Sequence, residues 1–343
     1  MRDREIERIL VIRTGGIGDL ILTLPLLMAL RRCYPHAWLE VMGQPCRLEL
    51  LEGGCYAHRV CSIEQPGMAS FFVPEAPLPE KLVQYFANFH LVVSLVSDPD
   101  GLFSANLLRA GVEKVIPIAP LPPHSNIEHY SHYLLSQLSN WGLKAEPTEP
   151  KIFPTERVQQ YASRFWTEQG LGRVLAVHPG SGSPRKIWKP EGFAEVANWA
   201  IEKLGMQVLL ISGPADQQVT RQVIQRMRPR RALVVENFSL SKLAAILLKC
   251  QGFVGNDSGI THLASAVGIP TVAVFGPSDP QIWRPQGKHT AVVKSSLPCS
   301  PCTREKMDRC DRPRCMDSIT TEEVRRTVET HVEESQWALQ RRI

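Results

Sequence analysis

The residues best suited to bind an anion lie in residues 254–264, of sequence VGNDSGITHLA. Their apolar start predicts the end of a strand, and the following residues predict a helix that opens at Asp257 and runs through Ala266. Free backbone N–H groups at a helix start bind phosphate, and a glycine there lets the phosphate approach the backbone closely. We predict an anion site, with a capped helix of an ordinary α/β protein as the alternative. The predicted ligands are Asp257, Ser258, Gly259 and His262.

A second stretch, HPGSGSPRKIW at residues 178–188, combines glycines and serines with a basic pair. The backbone N–H groups and the hydroxyl of Ser181 can bind phosphate oxygens, while Arg185 and Lys186 supply the opposing charge. A solvated turn is the alternative. We predict that this loop binds the same anion as residues 257–262.

Two further loops follow predicted strands. In ISGPAD, residues 211–216, the acid Asp216 lies where it can bond a ribose hydroxyl, with an ordinary helix cap as the equally weighted alternative. FGPSDP, residues 275–280, is the other loop. Loops at the carboxyl ends of parallel strands share one face of the sheet, so we expect these loops to converge with Asp257.

Near the amino terminus, RTGGIGD at residues 13–19 resembles a dinucleotide-binding fingerprint, but Ile21 stands where its third glycine would be. A carboxylate at Asp19 would repel a pyrophosphate in the same turn, while the helix N-terminus favours its ionised form. This favours a general base, with a simple N-terminal acid of a helix as the alternative. Glu40 lies about where a ribose-binding acid would be, so an NAD-dependent oxidoreductase stays open.

Four cysteines follow in a polar, Arg-rich segment with the spacing C-x2-C-x7-C-x4-C. The first pair has the spacing of half a zinc site, whereas the second pair is wider than zinc sites usually have. The alternatives are a structural zinc or iron ion and reduced, free thiols. The chain has nine cysteines, an odd number, which favours a reducing compartment over a disulfide framework. The four residues are Cys299, Cys302, Cys310 and Cys315.

Alternating strand and helix signals surround these loops. Alternation of this kind predicts α/β architecture with parallel sheets covered on both faces. A chain of 343 residues exceeds one ordinary core, and the proline-rich residues 146–150 separate two such halves, which implies a ligand-binding cleft between them. A final charged helix has apolar residues every fourth position, so one side of it must pack on another element. The predicted strands are residues 8–13, 38–42, 91–96, 112–118, 174–178, 206–212, 233–235, 252–254, 271–275 and 290–294.

The composition and charge of the chain limit the kinds of partner that we expect. A formal net charge of +5 favours anionic small ligands or contact with a membrane surface, and it is too weak to indicate nucleic-acid binding. The most apolar region, residues 9–30, is interrupted by Arg13 and Asp19 and contains Pro25, so no transmembrane segment is predicted. Acidic residues in the charged start argue against a secretory signal. We therefore expect a cytoplasmic protein.

Taken in this order, the motifs resemble those of bacterial lipopolysaccharide heptosyltransferases, glycosyltransferase family 9, over nearly the whole chain. The resemblance rests on GD at residues 18–19 with LP at 24–25, HPG at 178–180 with KIW at 186–188, DSG at 257–259 with His262, and FGPSDP at 275–280.

The resemblance implies a GT-B fold, in which two Rossmann-like domains with parallel sheets face a central cleft. Residues 1–150 would form the acceptor-side domain, residues 151–320 the nucleotide-sugar-binding domain, and residues 321–343 a C-terminal helix that packs back toward the first domain. It further implies inverting, metal-independent transfer of heptose from ADP-heptose to a lipid A-linked saccharide of the lipopolysaccharide core. That acceptor would place the enzyme peripherally at the inner face of the cytoplasmic membrane.

By position, Asp19 matches the family's proposed base and Lys186 its phosphate-binding lysine. Asp257, Ser258, Gly259 and His262 match the site of the donor diphosphate and sugar, and Asp216 matches an acidic ribose contact. No motif matches an acceptor site. No cofactor is required by the resemblance.

Three other functions fit parts of this pattern. Another nucleotide-sugar transferase or epimerase on the same fold, or an NAD-dependent oxidoreductase, would be an enzyme, whereas a non-catalytic nucleotide-sugar binder would not. The missing third glycine weakens the oxidoreductase. Asp19 distinguishes the binder, because mere binding does not require an ionised acid at the edge of the cleft.

Overall fold

All strands in the described part of the chain pair in parallel, in two separate sheets. The computed structural model describes residues 6–123, 127–228 and 232–340. The chain divides into two units, Met1–Thr148 and Glu149–Ile343, each with its own sheet. The predicted α/β class with two Rossmann-like halves is confirmed.

The first unit has a five-stranded sheet of order β3-β2-β1-β4-β5. Its first strand is central, with neighbours on both sides, because the chain runs outward to one edge and then returns to the other side. The strands are β1 (Arg8–Arg13), β2 (Trp38–Gly43), β3 (Arg59–Ser62), β4 (Leu91–Leu95) and β5 (Lys114–Pro117). The helices are α1 (Ile17–Cys33), α2 (Pro45–Leu48), α3 (Glu80–Phe86), α4 (Leu102–Arg109) and α5 (Tyr130–Ser139).

The second unit repeats this plan in a six-stranded sheet of order β11-β10-β9-β6-β7-β8. The strands are β6 (Val174–His178), β7 (Gln207–Ser212), β8 (Ala232–Glu236), β9 (Gly252–Asn256), β10 (Thr271–Phe275) and β11 (Thr290–Lys294). The helices are α6 (Glu156–Glu168), α7 (Pro190–Leu204), α8 (Gln217–Arg226), α9 (Leu240–Leu247), α10 (Gly259–Ala266), α11 (Pro280–Trp283), α12 (Arg304–Asp308), α13 (Arg314–Asp317) and α14 (Thr321–Gln340).

The central strands form because they are continuous apolar runs. Every residue of β6 is buried, as are five of the six residues of β1, as expected for parallel strands covered on both faces. The sequence patterns did not predict β3. It is a four-residue edge strand whose side chains are exposed or half-buried, so it lacks the apolar run that marks the inner strands.

The final helix packs on the sheet of its own unit. Val324, Val328 and Val332, spaced four residues apart, are buried in the same core as strand residues of β6 and β9. The helix comes so close to β9 that a Cβ atom at Gly252 would lie 2.8 Å from Val332 Cγ2. The prediction that one side of the helix packs on another element is confirmed. Its return toward the first unit stays a prediction.

Within residues 6–123, 127–228 and 232–340, none of the helices combines the length and the apolar character that crossing a bilayer requires.

The packing of α14 predicts a stability effect. Val328 is 1% exposed, so Val328→Ala removes two methyl groups from a filled core and should lower the free energy of unfolding by about 1.5–3 kcal/mol. Glu329 is the next residue of the same helix and is exposed. Urea unfolding should give a change within about 0.5 kcal/mol for the control Glu329→Ala. Equal midpoints for both variants would contradict the packing of α14.

Candidate functional site

The loops with predicted ligands follow the central strands of the two sheets. In the first unit, β1 lies between β2 and β4, and in the second unit β6 lies between β7 and β9. At both positions the chain order reverses, and such switch points are where open parallel sheets bind ligands. Asp19 follows β1 in the first unit, at the start of α1, whereas Ser181 and Lys186 lie in the loop after β6 in the second unit.

Asp19 is the third residue of α1 and is held by two groups of the first unit. Its Oδ2 accepts a hydrogen bond from the Gly16 N–H at 2.5 Å, and its Oδ1 lies 3.4 Å from Nη2 of Arg13. The guanidinium is buried, whereas 33% of the Asp19 side chain is exposed. The carboxylate is therefore fixed in position while part of it stays accessible to a substrate.

Arg13 is positioned in turn by Tyr130, the first residue of α5. Arg13 Nη2 donates to the Tyr130 hydroxyl at 2.9 Å, and that hydroxyl donates to the Pro120 carbonyl at 2.8 Å. Burial, together with the nearby Asp19 carboxylate, raises the pKa of Tyr130 to about 12 against the opposing effect of Arg13. The phenol therefore stays protonated at neutral pH, and the guanidinium keeps its orientation toward Asp19.

In the second unit, the side chain of Asn256 ties the loop after β6 to the end of β9. Its Oδ1 accepts from the Trp188 N–H at 2.9 Å, and its Nδ2 donates to the carbonyls of Pro179 and Gly180 at 2.8 and 3.3 Å. Asn256 is fully buried, so its polar atoms require partners inside the protein. The loop backbone is thereby fixed at both of its ends.

Lys186, in the loop after β6, contacts Asp257, which follows β9. Lys186 Nζ lies 2.7 Å from Asp257 Oδ2, and Ser181 Oγ donates to the Asp257 carbonyl at 2.9 Å. The lysine is 26% exposed, whereas the carboxylate is 9% exposed. The structure thus brings together three of the predicted donor ligands, with the ammonium group as the accessible charge.

The helix after Asp257 starts two residues later than predicted. Asp257 is still bonded to the sheet, just after the carboxyl end of β9, because its N–H donates to the Val274 carbonyl of β10. Ser258 is the N-cap, and its hydroxyl accepts from the Thr261 N–H. Gly259 is the first residue of α10, and His262 lies buried in the first turn. The start of the helix, where we predict an anion to bind, therefore lies beside the Lys186–Asp257 pair.

Asp216 precedes α8 but does not cap it with its side chain. Its Oδ2 lies 3.2 Å from Nε2 of His178 and accepts from the Gly213 N–H at 3.2 Å. The other imidazole nitrogen, Nδ1, lies 3.2 Å from Ser258 Oγ. His178 therefore links the loops after β7 and β9. Because the carboxylate is turned inward, the ordinary-cap alternative is wrong for its side chain.

The environment of Asp216 favours its ionised form. Burial alone would raise the pKa of the carboxyl group, but the hydrogen bond and charge of His178 and the Gly213 N–H outweigh it, so the pKa lies below its usual value. A lowered carboxyl pKa stabilises the folded state above the unfolded-state value of about 3.9, and this stabilisation disappears as the pH falls through the folded-state pKa. Asp216 is therefore an acceptor at neutral pH.

Arg185 does not join the charge of Lys186, and here the prediction is wrong. Its guanidinium donates to the carbonyls of Asp308 and Cys310, at 2.6 and 3.0 Å. The predicted loop at residues 275–280 is likewise tied to the cysteine segment, since Ser300 Oγ and the Cys302 N–H donate to the carbonyls of Gly276 and Pro277. The cysteine segment therefore supports two of the strand-end loops.

The four cysteines lie in one neighbourhood as free thiols. Burial raises the pKa of Cys302 and Cys315, and neighbouring thiols act in the same direction: Cys299 and Cys310 on Cys302, and Cys302 and Cys299 on Cys315. Within the part of the chain that the structure describes, no group of three or more His, Cys, Asp or Glu side chains is placed to hold a metal ion.

Four residues of this arrangement were given no role by the sequence analysis, namely Arg13, Tyr130, His178 and Asn256. Arg13 and His178 end the central strands of their sheets, and a basic side chain after a buried apolar run is a signal that could have found them. Asn256, next to Asp257, was within the motif. Tyr130 lies 117 residues from Arg13, and no local pattern connects them.

Known proteins share this arrangement of two sheets. A family model described as glycosyltransferase family 9 (heptosyltransferase) matches residues 120–310, more than half of the 343 residues. Lipopolysaccharide heptosyltransferase 3 of Escherichia coli K12 is 24% identical over 316 residues, which cover 85% of this chain and 89% of that protein. A solved glycosyl transferase family 9 structure from Veillonella parvula has a TM-score of 0.80 at 23% identity, covering 96% of this chain and 98% of that one. E. coli ADP-heptose lps heptosyltransferase II has a TM-score of 0.75 at 18% identity, covering 96% and 99%. The predicted GT-B fold is confirmed.

The packing around Asp216 predicts a steric effect at Gly180. A Cβ atom at Gly180 would collide with the Asp216 carboxyl group. Gly180→Ala should therefore displace the carboxylate from His178 and Gly213 and lower the free energy of unfolding by about 1–3 kcal/mol in urea unfolding. Gly182, in the same loop, has no atom within 4 Å of such a Cβ, so Gly182→Ala is the matched control.

A double-mutant cycle tests the cause. In an Asp216→Gly background, Gly180→Ala should cost little, because the group that it displaces is gone. An undiminished cost in that background would show that the collision with Asp216 is not the reason.

Proposed function

Because the chain belongs to glycosyltransferase family 9, we propose that it is an inverting enzyme that transfers a heptose from ADP-heptose to a lipid-linked saccharide of the lipopolysaccharide core. The glycosyltransferase activity follows from the family. The names of the relatives support the heptose, and the name of the E. coli structure supports the ADP-sugar. The observation that carries the proposal within this chain is the Lys186–Asp257 pair beside the start of α10.

That pair supports binding of the donor diphosphate. The exposed ammonium of Lys186 and the backbone N–H groups at the start of α10 offer positive charge on one side of the loop. Displacement of a nucleoside diphosphate leaves negative charge on the leaving oxygens, which such groups stabilise. Asp257 orients Lys186 through the 2.7 Å contact rather than contacting the diphosphate itself. This charge relief comes from the chain itself, which supports metal-independent transfer.

The loop after β7 supports the nucleoside end of the donor. Asp216 has its Oδ2 occupied by His178 and Gly213, which leaves Oδ1 as the acceptor for a ribose hydroxyl. The switch point between β6 and β9 lies between this acid and Lys186 along the sheet edge. The donor would therefore lie across the ends of β7, β6 and β9, with ribose at one end and diphosphate at the other.

Asp19 is the proposed base. An attacking hydroxyl of the acceptor must lose its proton as the bond to the anomeric carbon forms, and direct displacement by that hydroxyl inverts the carbon. The partly exposed carboxylate of Asp19 can take this proton, while Arg13 and the Gly16 N–H hold it in place. A lipid-linked acceptor would bring the enzyme to the inner face of the cytoplasmic membrane, and the net charge of +5 suits an anionic surface.

The donor class can be tested with the unmodified protein. Ligands that bind the folded state raise the unfolding midpoint, and the stabilisation grows with the logarithm of the ligand concentration over Kd. ADP and ADP-sugars should raise the midpoint, whereas UDP, GDP and NAD at equal concentration should raise it less or not at all. Equal or larger shifts with UDP or NAD would overturn the ADP-sugar assignment.

The phosphate contact predicts the effect of Lys186→Ala. Loss of a charged hydrogen bond to the diphosphate should weaken ADP binding by about 1.5–3 kcal/mol, that is roughly 10- to 150-fold in Kd, measured by calorimetry. Lys189→Ala removes the same charge three residues further along and should leave the Kd of ADP unchanged. An unchanged Kd in folded Lys186→Ala would remove this residue from the site.

The base predicts the effect of Asp19→Asn. The amide preserves size and can still accept from the Gly16 N–H, but it cannot take a proton at neutral pH, so kcat should fall by about 10²–10⁴ with an unchanged Kd for ADP. Glu323 is the matched control, because it is also the third residue of a helix and accepts from the N-cap N–H of Thr320. Glu323→Gln should lower the unfolding midpoint slightly and leave kcat intact. Near-native kcat in Asp19→Asn would contradict the role of base.

A further inference from the structure

His178 is a buried imidazole with both ring nitrogens engaged. It is 3% exposed, with Nε2 3.2 Å from Asp216 Oδ2 and Nδ1 3.2 Å from Ser258 Oγ. It ends β6, the central strand of the second sheet, and the two groups that it contacts follow the neighbouring strands β7 and β9. The imidazole therefore lies between the ribose end and the diphosphate end of the proposed donor site.

Asp216, the partner of Nε2, determines whether Nε2 carries a hydrogen. Asp216 is ionised at neutral pH because its pKa is lowered, and an ionised carboxylate only accepts hydrogen bonds. Nε2 must therefore carry a hydrogen. Nδ1 then accepts from Ser258 when the imidazole is neutral, and donates to Ser258 when the imidazole is protonated.

The single hydroxyl hydrogen of Ser258 follows the state of Nδ1. When the imidazole is neutral, Ser258 donates this hydrogen to Nδ1. With a protonated imidazole, Ser258 Oγ accepts from Nδ1, and its hydrogen is released toward another acceptor. Thr261 Oγ1, 3.1 Å away, can take it in the free protein, since its own hydrogen is donated to the Asn256 carbonyl.

We propose that His178 is a positioning residue of the donor site: it takes up a proton when a nucleoside diphosphate binds, and the Ser258 hydroxyl thereby becomes a donor to the diphosphate. This inference rests on the proposed function, which places the diphosphate beside Ser258. His178 does not contact the reacting atoms. It determines whether the N-cap of α10 presents a hydroxyl hydrogen to the ligand.

The charges around His178 favour this coupling. The titratable groups on the elements packed against it are Asp216 after β7, Asp257 after β9 with Lys186 paired to it, and the imidazole of His262 on α10. Lys186 and Asp257 form a pair of opposite charges, so Asp216 is the charged group in direct contact with the ring. An arriving diphosphate adds negative charge at the other side, and nearby negative charge stabilises an imidazolium.

The experiment is calorimetry of ADP binding in buffers of different ionisation enthalpy, between about pH 6 and 8.5. His178→Gln is the comparison, because the glutamine amide can donate and accept but cannot take up a proton. The terminal phosphate of ADP also titrates in this range, and subtracting the His178→Gln values removes that contribution.

Wild type should take up more protons per bound ADP than His178→Gln, with a difference of about half a proton at its maximum for a tenfold coupling. Its Kd for ADP should accordingly weaken by about tenfold as the pH rises through this range, beyond any change in His178→Gln. Ser258→Ala should flatten the same pH profile, because the hydroxyl that protonation releases is absent.

Equal proton uptake by wild type and His178→Gln would overturn the role of His178 and leave the ADP-sugar assignment intact. Absence of any ADP binding would overturn both. If His178→Gln does not fold, the ring is followed directly by NMR of the isotope-labelled histidines of the wild type. A rise of about one pH unit in the titration midpoint of the signal assigned to His178 on ADP addition supports the proposal, and an unchanged midpoint of that signal overturns it.

Discussion

A single buried amide fixes the geometry of the second unit's site. The side chain of Asn256 is enclosed, and an amide that is taken out of water must satisfy its polar atoms within the protein. It does so on backbone groups of Pro179, Gly180 and Trp188, at the two ends of one loop. The lysine in that loop reaches the carboxylate after β9 from a backbone that these bonds hold in place. The charge arrangement is thus a consequence of backbone satisfaction and not of attraction between the charges alone.

The fold was largely predictable because its determinants are local. Inner strands of parallel sheets are continuous apolar runs, and polar glycine-containing loops at their ends interrupt them, so β1, β6 and β10 were predicted within a residue of their bounds. The edge strand β3 was missed because a half-exposed edge needs no apolar run. The start of α10 was misplaced because Asp257 and Ser258 are equally good caps. The choice between them depends on a backbone bond to β10, which is a tertiary contact.

The site was predictable as far as residue type and loop position indicate it. Asp257, Ser181 and Lys186 were expected together, since parallel topology brings strand-end loops to one edge, and they are together. The side-chain directions were not predictable. Arg185 and Lys186 are adjacent and equally basic, yet Arg185 donates to carbonyls of the cysteine segment and Lys186 contacts Asp257. The direction of each side chain depends on contact partners that lie more than 70 residues away in the sequence.

The contact between Gly180 and Asp216 limits which substitutions this chain can accept. Every side chain larger than hydrogen at position 180 takes the volume that the carboxyl group occupies, so the two positions form one steric unit. A variant with a larger residue at position 180, in the loop after β6, must at the same time have a shorter or differently oriented residue at position 216, after β7. Substitutions at these two positions are therefore coupled.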